Sequence, residues 1–384
     1  MEKKKNDFIA QGSILAIASI LVRVMGMIYR IPMTAIIGDK GNGFYSYAYS
    51  VYTILLLLSS YSLPLAVSKM VSAKAQLGQW RNVKRVFICA IAFAIGIGTT
   101  FGLIVLIGAQ FFTRVFFHSE LAAIALRFMA PTILIMALLG VFRGFFQGLQ
   151  NTLPTAVSQI VEGLINAIMS VVFAYFLFDF GHGMDVASGT TDLGYAWGAA
   201  GGAIGTGAGA LAGLIFCFIL FVAYRKILAV NISRDKTGTQ QEYGDIFRLM
   251  LSIALPVILS TALYNLIELV DGSLFNNIMA SKGMEDVKDS MWGAYNAKAL
   301  LLVHIPVSIS SAMAVSLVPT LTAAYALGDE QTAKSKVHAI LRFISILAFP
   351  SAVGLLVLAN PIIKTLFSGD TSAASTYLQV VSPA

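Results

Sequence analysis

The sequence predicts an all-α, polytopic membrane protein made of two parallel six-helix repeats, the second of them truncated. Three observations predict it. Charged residues make up 12% of the chain and hydrophobic ones 57%, about half the charged share of a soluble globule. The apolar residues fall in continuous runs of ~20 or more, enough to cross a bilayer as helices. A β-barrel would show ~10-residue alternating segments instead. Third, residues of the first half recur in order in the second. Gly43 and Tyr45 match Gly293 and Tyr295, Ala66-Val67-Ser68 matches Ala314-Val315-Ser316, and Leu77-Gly78 matches Leu327-Gly328. Val105-Leu106 then matches Val357-Leu358 and Pro131 matches Pro383, with an offset that drifts only from 248 to 252.

Spans are expected at 9–36, 44–68, 84–111, 122–148, 154–178, 195–224, 246–277, 292–323 and 338–362, and a tenth begins near Thr376. The first run is too long for a signal-peptide core and lacks a small-residue cleavage pattern, so it reads as a retained span. The sixth carries Gly198, Gly201, Gly202, Gly205, Gly209 and Gly213, overlapping pairs of small residues that let a neighbouring helix approach closely. Pro64, Pro154, Pro256, Pro306, Pro319 and Pro350 lie in or near spans and permit bending. Because a repeat of six spans enters the membrane from the same side each time, the two halves run parallel. The expected division is an N-terminal six-helix lobe over 1–230, a cytoplasmic linker over 231–245, and a C-terminal lobe over 246–384. That second lobe holds about four of its six helices, and the chain is expected to be a fragment or a truncated frame.

The net charge of +7 reports topology. Lys3, Lys4 and Lys5, the Lys69 to Arg85 loop, the Arg225 to Arg248 segment, and Lys334, Lys336 and Arg342 all fall on one side if each span crosses once. The opposite loops are poor in Lys and Arg, and one carries Asp179, Asp185 and Asp192. This positive-inside pattern puts the N-terminus in the cytoplasm and the protein in the cell membrane, and it argues against a nucleic-acid partner. Cys89 and Cys217 lie within spans, and His118, His182, His304 and His338 are scattered. Neither a disulfide nor a resident metal or cofactor is expected. No Walker loop or other enzymatic constellation emerges.

Arg23 and Arg30 stand out inside the first span. Their spacing of seven puts both on one helix face, about two turns apart, and a charge near mid-membrane costs at least ~2.5 kcal/mol unless it serves a site. Either they bind an anionic ligand, or they snorkel or pair with a buried carboxylate. Guanidinium forks suit diphosphate oxygens. In the seventh span, Tyr264, Glu268 and Asp271 share a narrow face. The two carboxylates would share a proton, bind Na⁺, or pair with Arg23, Arg30 or Lys298. Glu162, on a stripe with Gln159 and Asn166, and Lys298 and His304 in the eighth span are secondary cavity candidates. Such groups more often satisfy one another within a bundle. An offset of six places Lys298 and His304 on different faces.

Arg143-Gly144-Phe145-Phe146-Gln147-Gly148-Leu149-Gln150-Asn151, followed by Pro154-Thr155-Ala156 and Ser158-Gln159 leading to Glu162, resembles the fourth-to-fifth span junction of the polysaccharide-biosynthesis flippases. Within them it is similar to the stage V sporulation protein B branch. That branch is related to the lipid II flippase MurJ and to the multidrug/oligosaccharidyl-lipid/polysaccharide exporters. Arg23-Val24-Met25-Gly26, Tyr29-Arg30-Ile31-Pro32 and Gly41-Asn42-Gly43-Phe44-Tyr45 resemble the branch as well. The resemblance implies a V-shaped pair of lobes around a central cavity and outward flipping of a lipid-linked oligosaccharide by alternating access. It also implies first-span arginines that hold the diphosphate, and a seventh-span carboxylate at an ion site. One departure is visible: the second span has no arginine to match a further cavity cation of those flippases.

The functional expectation is a flippase for an undecaprenyl-diphosphate sugar of the lipid II kind, coupled to Na⁺ or H⁺, with membrane lipids and cell-wall synthesis proteins as neighbours. The rivals are a cation-coupled multidrug exporter on the same fold, which would need an acidic cavity, and a non-transporting membrane scaffold. A membrane glycosyltransferase would need a large outer loop with catalytic acids, and the longest here, 179–194, is short.

Overall fold

Apolar surface that never alternates with charge leaves a chain one solution, helices whose backbone groups are paired internally, and the computed structural model shows it. It describes residues 18–60, 62–311, 329–369 and 371–383. Met1 to Lys5, Pro319, and the repeat matches at 314–316 and 327–328 lie outside the described residues. In chain order the elements are α1 (Ala18–Ile28), α2 (Arg30–Ser60), α3 (Leu63–Gln76), α4 (Trp80–Phe117), α5 (Ala122–Gly148), α6 (Leu153–Ser188) and α7 (Leu193–Ser233). They continue with α8 (Tyr243–Ser281), α9 (Glu285–Ala294), a π-helical segment (Tyr295–Leu300), α10 (301–311), α11 (Glu330–Val357), α12 (Ala359–Leu366) and α13 (Ser372–Val381).

Seven helical stretches among the described residues are long and apolar enough to cross a membrane, and the chain is a multi-pass membrane protein. Two of the nine expected spans are not counted separately. The 47-residue stretch Arg30–Gln76 joins the end of the first span to the whole second span. A break inside α2 divides them at Gly38, whose φ of 62° is left-handed backbone that glycine adopts without strain. The expected eighth span begins in α9 and the π-helical segment and continues beyond the described residues.

Proline sets several helix starts. Pro64 and Pro154 stand in the first turns of α3 and α6, where the missing N–H has no partner to lose. Pro131, Pro256 and Pro350 fall inside α5, α8 and α11.

The tightest packing is between α6 and α7, and the glycines of the sixth span explain it. A Cβ at Gly205 would overlap Ser170, one at Gly201 would overlap the Phe173–Ala174 backbone, and one at Gly209 would fall 2.6 Å from the Glu162 carbonyl oxygen. The outer faces are apolar too. Ile107 is 81% exposed and Phe111 63% on α4, a surface that water would penalise and lipid accepts. The segment after α7 is pinned: the Asn82 amide donates to the Thr239 carbonyl at 3.1 Å, and the Gln241 N–H donates back to Asn82 Oδ1 at 3.0 Å. Backbone N–H groups of Arg81 and Thr237 hold the Asp235 carboxyl down to about 2.

Gly205→Val is expected to destabilise the α6–α7 pair by at least ~1–3 kcal/mol, read as a lower midpoint of thermal unfolding in detergent. Gly183→Ala, with open space around its Cβ, should leave the midpoint unchanged.

Candidate functional site

Arg23 and Arg30 lie on one helical line even though a turn at Tyr29 separates α1 from α2. The Tyr29 N–H donates to the Met25 carbonyl at 3.1 Å and the Met33 N–H to the Tyr29 carbonyl at 3.2 Å, so the hydrogen-bond ladder runs through. The Gly38 break then lets the second part of α2 pack against the first. Tyr29, Tyr45 and Tyr49 consequently surround the half-buried Arg30. The Tyr45 and Tyr49 rings stack with centroids 5.8 Å apart, Tyr52 continues the stripe at 5.9 Å from Tyr49, and the Tyr45 hydroxyl shares a 3.4 Å contact with Thr206. Phenols offer dipoles and lone pairs to a guanidinium, and no compensating charge.

Arg23 is exposed, as are Glu268 and Asp271 on α8 and His304 on α10. His304 is within electrostatic reach of Arg30, Glu268 and Arg23, so α1, α2, α8 and α10 bring these four side chains to one open face. Glu268 accepts a hydrogen bond from the Ser50 hydroxyl at 3.3 Å. Asp271, one turn further along, sits beside Tyr295. The Tyr264 side chain lies outside the described residues. Among the described residues, no ion pair within 4 Å joins Glu268 or Asp271 to Arg23 or Arg30. No group of three or more His, Cys, Asp or Glu could hold a metal ion among them.

The secondary candidates take partners that the spacing did not indicate. Glu162 pairs with Arg143 Nη2 at 2.7 Å, and Arg143 Nε donates to the Ser158 hydroxyl at 2.8 Å. Arg143 opens the junction motif that leads to Glu162, so the signal was present in the motif. Gly144 and Gly148 of the same motif let α5 lie against α3, since Cβ atoms there would come within 2.6 Å of the Pro64 carbonyl oxygen and 2.8 Å of that of Ser68. Gln159, on the same stripe as Glu162, accepts a 3.4 Å hydrogen bond from Ser19. Lys298 is 1% exposed in the π-helical segment and binds Asp39 at 2.7 Å. His304, by contrast, is exposed. Asp39 and Arg143 are the two partners that sequence reasoning missed. The tyrosines at 45, 49 and 52 were also missed, although i, i+4, i+7 spacing marks them as one helix face.

The bundle has the fold of the multidrug/oligosaccharidyl-lipid/polysaccharide transporters. It matches a multidrug resistance MATE family transporter of that superfamily, in its inward-facing conformation, with a TM-score of 0.70 at 13% identity, over 94% of this chain and 79% of that one. Residues 8–324 match the polysaccharide biosynthesis protein family, and the chain belongs to it. It is 26% identical over 371 residues to the lipid II flippase MurJ of Bacillus subtilis (strain 168), which covers 94% of this chain and 65% of that protein. It is 24% identical over 384 residues to stage V sporulation protein B of the same organism, covering 99% and 70%. The chain therefore spans about two thirds of the length of these relatives.

The Arg143–Glu162 pair is expected to act as a fastener between α5 and α6. A double-mutant cycle with Arg143→Ala and Glu162→Ala should give a favourable coupling energy of ~1–3 kcal/mol in unfolding experiments. Additive effects of the two substitutions would show that the pair contributes nothing.

Proposed function

We propose that this protein is a flippase that carries an undecaprenyl-diphosphate-linked oligosaccharide of the lipid II kind to the outer leaflet by alternating access of its two halves. The supporting observation is Arg30, enclosed by tyrosines with no carboxylate within ion-pair distance among the described residues, on one line with the exposed Arg23. Neither Glu268 nor Asp271 is within ion-pair distance of Arg23 or Arg30 among the described residues, so the two guanidinium groups are left to meet the negative charge of a diphosphate. The planar guanidinium fork matches phosphate oxygens in pairs. The names of the relatives in the same family point the same way.

In this reading the N-terminus is cytoplasmic, as the basic loops direct, and Glu268 and Asp271 answer to Na⁺ or H⁺. Glu268 has a hydroxyl neighbour and a histidine facing it, and among the described residues no cation pairs with it within 4 Å. Cell-wall synthesis proteins would supply and consume such a lipid. A drug exporter on this fold would need an acidic cavity for cationic substrates, and the two arginines disfavour it.

Native mass spectrometry of the purified protein tests the reading. Lipid II is expected to bind, and Arg23→Ala and Arg30→Ala should each weaken binding by at least about tenfold, the loss of one charge-assisted contact, while a cationic drug does not compete. Absence of lipid II binding, or binding unchanged in both variants, would overturn the assignment. A second measurement addresses the carboxylates: Glu268→Gln should remove the dependence of lipid transport on the ion gradient in proteoliposomes and leave lipid II binding intact. Retained ion dependence would exclude Glu268 from coupling.

A further inference from the structure

At the end of the bundle where the break in α2 lies, α2 meets α9 backbone to backbone. A Cβ at Gly43 would overlap the Asp289 carbonyl, and one at Gly293 would overlap the Asp39 carbonyl. The two contacts are mirror statements of each other, because Gly43 and Gly293, like Asp39 and Asp289, are 250 positions apart. The side chains break this symmetry. Asp39 has Lys298 at 2.7 Å, whereas the position 250 residues before Lys298 is Ala48, which brings no charge to Asp289.

The other charged groups of the seam are also committed. Lys40 binds Asp192 at 2.7 Å. Lys288 donates to the carbonyls of Phe117 and His118 at 2.9 and 2.7 Å, closing the end of α4. Asp289 is 8% exposed, and its Oδ1 is buried without a hydrogen-bond partner among the described residues.

The Tyr47 hydroxyl faces Asp289, and the hydrogen-bond directions there are fixed. The Asn276 amide nitrogen donates to the Gly272 carbonyl at 2.8 Å, which leaves Asn276 Oδ1 as the acceptor of the Tyr47 hydroxyl at 3.1 Å. The only proton of that hydroxyl is therefore used, and its oxygen offers Asp289 a lone pair. A carboxylate cannot use a lone pair; a carboxylic acid can donate to it. Tyr47 is itself wedged between Phe117 and Trp292, with ring centroids 4.6 and 6.2 Å away.

We propose that Asp289 is a protonation-controlled latch of this seam: the α2–α9 contact holds when its carboxyl is neutral and loosens when it ionises. The latch rests on the two-state reading given under Proposed function, and the orientation given there puts it on the outer side. Burial pushes the Asp289 carboxyl up to about 6, against the opposing pull of Lys288 and Lys40, and Asp192 adds to the rise. In an opened seam, water returns it to the ordinary ~3.9. The closed seam therefore binds the proton more tightly. Its extra stability is complete below the ordinary value and is lost as pH rises through about 6. Protons reach and leave this group from the outer side in either state, so the latch sets the resting conformation by external pH and does not itself drive transport.

The seam opens onto a cavity of about 590 Å³ lined in part by Thr191 and Val287, which gives positions for a distance reporter. Spin labels at Thr191→Cys and Val287→Cys, with Cys89 and Cys217 replaced by alanine, would be read by electron–electron resonance on the full chain in nanodiscs from pH 5 to 8. The closed-to-open ratio is expected to fall about tenfold over that range with a midpoint near the Asp289 value. Asp289→Asn, whose amide can donate to Tyr47 at every pH, should hold the closed distance and abolish the pH response. Lys40→Met, which removes a half-exposed cation beside Asp289, should shift the midpoint upward and serves if Asp289→Asn does not fold. A pH-independent distance in the unsubstituted seam, an Asp289→Asn variant that titrates as before, or an unmoved midpoint in Lys40→Met each overturns the latch. Lipid II binding measured on the same nanodiscs separates the two proposals. Intact binding with a pH-flat seam overturns the latch alone, and lost binding with a titrating seam overturns the substrate alone.

Discussion

The penalty for leaving a charge alone in hydrocarbon governs this molecule more than any other interaction. A membrane offers neither water nor counter-ions, so each buried ionic group must find a partner or be kept for a ligand. Lys298 and Asp39, Arg143 and Glu162, and Lys40 and Asp192 show the first solution, each at 2.7 Å, the first and third joining elements far apart in the chain and the second fastening consecutive helices. Arg30 has tyrosines around it and no ion pair among the described residues, which is why it is proposed for the second. The pairs hold the bundle together, and the proposed substrate would complete the charge balance of Arg23 and Arg30.

Glycine supplies the complementary freedom. Gly201, Gly205 and Gly209 bring α6 and α7 to backbone contact, Gly144 and Gly148 do the same for α5 and α3, and Gly43 and Gly293 do so for α2 and α9. The first two contacts carry no buried unpaired charge. The third is flanked by Asp289, whose stray oxygen makes that contact conditional on protonation. A seam with no side chains between the glycine backbones closes tightly, and ionisation of the acid sets a desolvated charge against that closure.

Much of this was written in the sequence. Composition and run length gave the helices and the membrane, because the bilayer imposes a length and forbids unpaired backbone whatever the side chains are. The glycine series foretold a close helix contact on α7, because small residues at a spacing of four let a neighbour approach, and only the structure named α6 as that neighbour. Arg23 and Arg30 were legible as a pair, because a spacing of seven fixes a helix face. The break at Gly38 was not legible as the device that folds the tyrosines back over Arg30, since a glycine near a span end is consistent with many turns.

What the sequence by itself determined was therefore everything that depends on neighbours within about two helical turns: which segments are helical, which faces are small or apolar, and where charges interrupt them. The partner of each charge was decided only in three dimensions. Glu162 could equally have met a cation of the cavity, and Lys298 could have met Glu268 or Asp271. The π-helical turn at Tyr295–Leu300 and the close approach of α2 to α9 sent Lys298 to Asp39 instead. That choice left Asp289 without a counter-ion. Pairing depends on distances between elements up to 259 positions apart, and no local pattern encodes such a distance.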